Sequence, residues 1–160
     1  MTEQTPAETP QTVNVQIGIG AQYIKDFSFE SPNAPLIFNE MVAPPQVALD
    51  INVMSKKVDA SAYETILKIK MEAKVNNKVA FIAELAYSGI FVLPEMPDEQ
   101  NKLFLLVEAP RLLFPFARAI ISNAVREGGF PNISLQPIDF YSLYMSEKDR
   151  VGMMTPQGEA

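Results

Sequence analysis

The tightest constraint on this chain lies in its middle third. Over residues 63–75 apolar and polar side chains alternate. Tyr63, Thr65, Leu67, Ile69, Met71, Ala73 and Val75 fall on one side, and Glu64, Lys68, Lys70, Glu72 and Lys74 fall on the other. A period of two over that length is a half-buried β-strand, because successive side chains of a strand point to opposite faces. Asn76-Asn77 follows, and asparagine tolerates the positive φ that a two-residue hairpin needs. The alternation resumes over 79–90, with Val79, Phe81, Ala83, Leu85 and Tyr87 on one face and Ala80, Ile82, Glu84 and Ala86 on the other. A lone hairpin is marginal in water, so this one requires further strands and a cover for its apolar side.

Two more segments supply strands. Val13, Val15, Ile17 and Ile19 alternate, and the strand continues irregularly through Tyr23, Ile24, Phe27 and Phe29, with Gly18 and Gly20 permitting a bulge. Val47, Leu49, Ile51 and Val53 alternate in the same way. Between them, residues 31–45 contain Pro32, Pro35, Pro44 and Pro45 and read as an ordered crossover. After Pro94 and Pro97 the period lengthens. Asp98-Glu99 opens a short helix through Leu103, Phe104 and Leu106. Phe116, Ala117, Ile120, Ile121, Ala124 and Val125 then form a helical stripe, with Pro110 suited to a start, Pro115 to a kink or second start and Gly128-Gly129 to a stop. Asp139 caps a last helix over 139–147 that buries Phe140, Leu143 and Tyr144.

Strands first and helices after predict an α+β fold, a four-stranded antiparallel sheet followed by two main helices packed on one face. The expected organisation is a polar tail over 1–12, one domain over 13–145 and a flexible tail over 146–160. Two helices do not cover a sheet whose first strand also carries apolar residues, so pairing between subunits is expected.

Composition narrows the chemistry. The 160 residues include no Cys, His or Trp, and nineteen acids against thirteen bases give a net charge of −6. A Cys/His zinc site, a thiolate nucleophile, a disulfide and a histidine base are therefore excluded. The acidic balance argues against nucleic acid as a partner, since phosphate binding needs a surplus of Lys and Arg. The remaining carboxylate pairs, Asp26 with Glu30 and Glu64 with Glu72, alternate with Lys68, Lys70 and Lys74 and read as a solvated sheet face. Ser28 and Ser88 have no histidine to activate them, and Gly18-x-Gly20 lacks the rest of a dinucleotide loop. Neither an enzyme nor a metal or cofactor site is expected. The first twelve residues hold no apolar run, and the longest such runs, 90–93 and 103–107, are far short of a membrane span. A soluble cytoplasmic protein with no direct membrane insertion is the expectation.

Three separated runs carry a more specific signal. They are Tyr23-Ile24-Lys25-Asp26-Phe27-Ser28-Phe29-Glu30 with Ser31-Pro32-Asn33-Ala34-Pro35; Leu112-Leu113-Phe114-Pro115-Phe116-Ala117-Arg118; and Gly129-Phe130-Pro131 with Leu135-x-Pro137-Ile138-x-Phe140-x-x-Leu143-Tyr144. In this order they resemble the SecB family of protein-export chaperones over roughly 13–145. The resemblance implies a cytosolic bacterial holdase, a homotetramer built as a dimer of dimers. It would bind unfolded precursor proteins without ATP and deliver them to the SecA motor at the Sec translocon.

Carried over residue by residue, the resemblance puts an acidic SecA contact on Asp26, Glu30 and Glu84, with Ile82 beside them. It implies a client groove at Phe38, Val47, Leu49, Ile51, Phe140 and Leu143. Ala83, Leu85 and Tyr87 are expected either under the helices or at the oligomer interface between dimers. The chain departs from the family where Tyr87-Ser88-Gly89 replaces a common Gln-Gly-Gly, and where Ala109 stands at a frequent cysteine. A SecB-like holdase for non-export clients such as an antitoxin, and a small-ligand-binding protein using the sheet's concavity, remain alternatives.

Overall fold

The computed structural model describes residues 16–154. The tail expected over 1–12, the strand positions Val13 and Val15, and residues 155–160 lie outside the described residues. Four strands, β1 (Gly18–Glu30), β2 (Gln46–Lys57), β3 (Ala62–Val75) and β4 (Lys78–Val92), form one antiparallel sheet in the order β1-β4-β3-β2. Consecutive hairpins join β2, β3 and β4, and β1 returns beside β4, which is a Greek-key arrangement. The β3–β4 turn is the one the sequence announces. Asn76 and Asn77 hold φ of 50° and 61°, the left-handed pair of a tight hairpin.

That order obliges the chain to travel from one sheet edge to the other between β1 and β2. The proline-rich crossover does so with a single helical turn, α1 (Ile37–Glu40), and buries Ile37 in the core. Its start is tied to β4, where the Ser31 hydroxyl donates to the Ala80 carbonyl at 3.0 Å and the Asn33 amide to Val79 at 2.8 Å.

The apolar face of β3 and β4 is covered by helix. Here α2 (Asp98–Leu103), a π-helical turn (Phe104–Glu108) and α3 (Ala109–Glu127) follow without a break, so the short helix and the apolar stripe of the sequence form one rod. The widened turn immediately precedes Pro110, which has no N–H to continue the regular ladder. Thr65 pins it from β3, donating its buried hydroxyl to the Leu105 carbonyl at 2.9 Å. Leu113, Ala117, Ile121 and Val125, four apart along α3, are fully buried with Leu67, Ile69, Met71, Phe81 and Leu85 of the sheet. Each large side chain removed from water there contributes roughly 1.5–3 kcal/mol.

At the end of α3, a Cβ on Gly128 would stand 2.5 Å from the Phe29 ring, and Gly129 takes φ +86° beneath Phe38. Only glycine permits that approach. The aromatic rings of Phe29, Phe38 and Phe81 gather around Phe130 at centroid distances of 4.9–6.4 Å.

The last helix, α4 (Phe140–Met154), starts as predicted, with Asp139 accepting the Ser142 N–H at 3.0 Å. It runs beyond 147, through positions the sequence assigned to a tail. Two placements need correction. Ala83, Leu85 and Tyr87 are 0%, 3% and 8% exposed inside the chain's own core, so α3 and its neighbours already occupy the surface that an oligomer interface would need. Phe140, at 1%, packs edge-on against Phe114 and anchors α4 to α3, which removes it from any client surface.

Candidate functional site

Strand pairing decides which side chains share the outer face of the sheet, away from α3. The register sets Asp26 beside Ala86, Ser28 beside Glu84 and Glu30 beside Ile82. Residues two apart on a strand point the same way, so Asp26, Glu30, Ile82 and Glu84 gather on one surface. The three acids are exposed and Ile82 is half-buried. Their electrostatics differ. Glu84 faces Lys70 at 3.5 Å, both about half exposed, whereas Asp26 and Glu30 have no ion pair among the described residues.

Further along the same face the structure holds a cluster that the alternation pattern hid. Glu64 is 2% exposed, not solvated. Its Oε1 accepts hydrogen bonds from the Tyr23 hydroxyl and the Lys25 ammonium, both at 2.7 Å, and Lys56 stands 3.2 Å from Oε2. Burial pushes the Glu64 carboxyl up, but the donors from Lys25, Tyr23 and Lys56 outweigh it and hold its pKa at about 2. The same bond raises Lys25 above its ordinary value. Glu64 thus fastens β1 and β2 to β3 from outside, with its β1 partners some forty residues away in sequence and its β2 partner across the adjoining hairpin. The sequence signal was Tyr23-x-Lys25 with Lys56, readable only once the strand order is known. Beside Tyr23, Ser88 Oγ is the one buried side-chain polar atom without a hydrogen-bond partner among the described residues.

The expected client positions divide into three groups. Phe38, Val47 and Leu49 are exposed at 37–42%. Ile51 and Leu143 are half-buried, and Leu143 faces Val53, Leu106 and Tyr144 around a small hollow between β2, the π turn and α4. Phe140 is core. Val47, Leu49, Ile51 and Val53 pair with Ala73, Met71, Ile69 and Leu67, and so lie on the helix-covered side of the sheet. The helices reach Ile51 and Val53 and leave Val47 and Leu49 bare. Further apolar residues are exposed outside the expected client positions. Among them are Ile19 and Ile24 on β1, Leu36 and Val42 on the crossover, and Leu112 and Phe116 on α3.

An open sheet with one charged face and a partly uncovered apolar side defines a protein that offers broad surfaces and no enclosed cleft among the described residues. Comparison with known proteins narrows the class. A family model described as "Preprotein translocase subunit SecB" matches residues 10–151. The chain is 45% identical over 157 residues to the protein-export protein SecB of Paramagnetospirillum magneticum, covering 98% of this chain and 99% of that one. It is 43% identical over 149 residues to the SecB of Sphingopyxis alaskensis, covering 90% and 86%. The chain belongs to the SecB family of protein-export chaperones. Among solved structures, a SecB-like chaperone of Mycobacterium tuberculosis, in complex with a peptide from an antitoxin, superposes with a TM-score of 0.65. That match covers 76% of this chain and 90% of that one at 12% identity, a likeness of fold. No helix among the described residues is long and apolar enough to cross a membrane.

Proposed function

We propose that this chain is a cytoplasmic, ATP-independent holdase without catalytic activity, which binds unfolded precursor proteins and passes them to the SecA motor. Clients meet the bare apolar side at Phe38, Val47 and Leu49, with Ile51 and Leu143 at its border. Burying a client's apolar side chains there supplies the affinity, and weak contacts on several subunits add through effective concentration. SecA meets the opposite, outer face at Asp26, Glu30, Ile82 and Glu84. The observation that carries this reading is the separation of the two surfaces by the sheet. One motor and one client can then be held at once without competing for the same residues.

The functional unit is a tetramer, a dimer of dimers. With Ala83, Leu85 and Tyr87 committed to the core, the subunit contacts fall to the exposed apolar residues of α3 and β1. Leu112 and Phe116 are 45% and 51% exposed, Ile19 and Ile24 52% and 50%, and the outer edge of β1 has no neighbouring strand among the described residues.

The test uses the full chain, an unfolded precursor and purified SecA. Native mass spectrometry is expected to give four chains with about one bound precursor, and the folded precursor is expected not to bind. Reversal of Asp26, Glu30 and Glu84 to lysine is expected to abolish SecA binding while client binding persists. A monomer that ignores unfolded clients, or a triple variant with unchanged SecA binding, overturns the reading.

A further inference from the structure

We infer that the outer sheet face is a docking surface of two signs, in which Lys68 receives a carboxylate from the same partner whose cations meet Asp26 and Glu84. The inference rests on the reading that SecA binds this face, and it specifies the chemistry SecA must present there.

The register lays the face out in rows. Asp26, Ala86, Lys68 and Asn52 stand abreast across β1, β4, β3 and β2; Ser28, Glu84, Lys70 and Asp50 form the next row; Glu30, Ile82, Glu72 and Ala48 form the third. Neighbouring strands lie about 4.8 Å apart, so Asp26 and Lys68, two strands apart, are about 10 Å from each other. Between them the short Ala86 side chain leaves a hollow of about 300 Å³, walled by Asp26, Asp50, Glu84, Lys68 and Lys70. Lys70 is engaged by Glu84 at 3.5 Å. Among the described residues neither Lys68 nor Asp26 has an ion-pair partner, although both are exposed.

Asp50, exposed and also without an ion-pair partner among the described residues, adds a second free acid. The hollow thus sets one unengaged cation, Lys68, among unengaged acids. It is complementary to a ridge whose cations flank a single carboxylate, with about 10 Å between that carboxylate and the cation meeting Asp26. A purely basic surface would set one of its charges against Lys68, and that repulsion is a means of rejecting other basic proteins. Lys68 therefore contributes specificity that an acidic patch alone would lack.

The experiment measures equilibrium SecA binding to the full-length chain at low and high salt. Lys68→Glu makes the chain more acidic, so a single-sign acidic surface predicts tighter binding to a basic partner. The two-sign surface predicts the opposite, a loss of about tenfold for Lys68→Glu and a smaller loss for Lys68→Gln, reduced by added salt. Lys70→Gln, which frees Glu84, is expected to tighten binding. If Asp26→Lys weakens binding while Lys68→Glu tightens it or leaves it unchanged, the two-sign inference fails and the SecA face stands. If Asp26→Lys also leaves binding unchanged, the SecA reading of this face fails with it. Lys68 is exposed, and unchanged native mass and circular dichroism of each variant establish that folding is intact.

Discussion

Glu64 and Glu84 stand on the same face of the same sheet, each beside lysines, and only one of them is built into the fold. Glu64 is almost fully buried and takes donors from β1 and β2 at 2.7–3.2 Å. Glu84 is about half exposed and shares one lysine at 3.5 Å. A buried carboxylate must have its lone pairs satisfied, because desolvation without partners costs several kcal/mol. An exposed pair gains at most about 1 kcal/mol and is screened by salt. The contrast assigns the outer face two tasks. The Glu64 end holds the sheet together, and the Glu84 end is left exposed, as the proposed SecA contact requires.

The largest expected consequence is in acid. The Glu64 pKa is held at about 2 in the folded chain, below its ordinary value of 4.5. A carboxyl with a depressed folded pKa stabilises the fold fully above its unfolded pKa and loses that contribution as pH falls through the folded one. Stability is therefore expected to drop by ~3 kcal/mol between about pH 4.5 and 2 from this group alone. Urea midpoints across that range, at one chain concentration, should show the drop in the wild type and a flatter limb in Glu64→Gln. Parallel limbs would mean that Glu64 is not held by its donors in solution.

At neutral pH, Glu64→Gln keeps the shape but leaves two ammonium groups facing a neutral amide. A loss of about 2 kcal/mol is expected, read as a lower thermal midpoint. The donors should not be equal. Lys25 is closer and less exposed than Lys56. Lys25→Met is accordingly expected to lower the thermal midpoint further than Lys56→Met does. Equal losses would mean that the two lysines share the carboxylate symmetrically and that β1 is not held more firmly than β2 by this cluster.

The contrast also marks where the sequence stops being informative. Strand identity, the Asn76-Asn77 hairpin, the Asp139 cap and the shared face of Ile82 and Glu84 all follow from local period and turn chemistry. Each depends on neighbours within a few residues. The burial of Glu64 does not, because its partners are supplied by strands some forty residues away in one direction and by the adjoining hairpin in the other. The same limit leaves Ala83, Leu85 and Tyr87 between two places, under the helices or at an oligomer interface, and the structure selects the first. Alternation tells that they share a face, but only the path of α3 tells that the face is covered by this chain. For Phe140 the helical period already implies burial, and Phe114 against it shows that the client groove implied by the resemblance does not include it. The unbroken rod from α2 to α3 was obscured by Pro110 and Pro115, which normally end helices. Here the widened turn ahead of Pro110 and the exposed outer side of Pro115 accommodate them.

The smallest expected effect is the one that isolates binding from folding. Glu84→Gln removes a charge whose only ion-pair partner among the described residues is Lys70, on an open surface with water on both groups. The pair's Coulomb attraction is weak there, and holding two long side chains together costs rotamer entropy, so the stability change is expected to stay within about 0.5 kcal/mol. Binding has no such compensation. When a partner covers the face, water leaves, and an unmatched charge on either side becomes expensive. Glu84→Gln should thus leave the urea midpoint where it is and still weaken SecA binding severalfold. If its thermal midpoint instead falls as far as that of Glu64→Gln, then Glu84 is part of the sheet's fastening, and the division of the outer face into a holding end and a binding end is wrong.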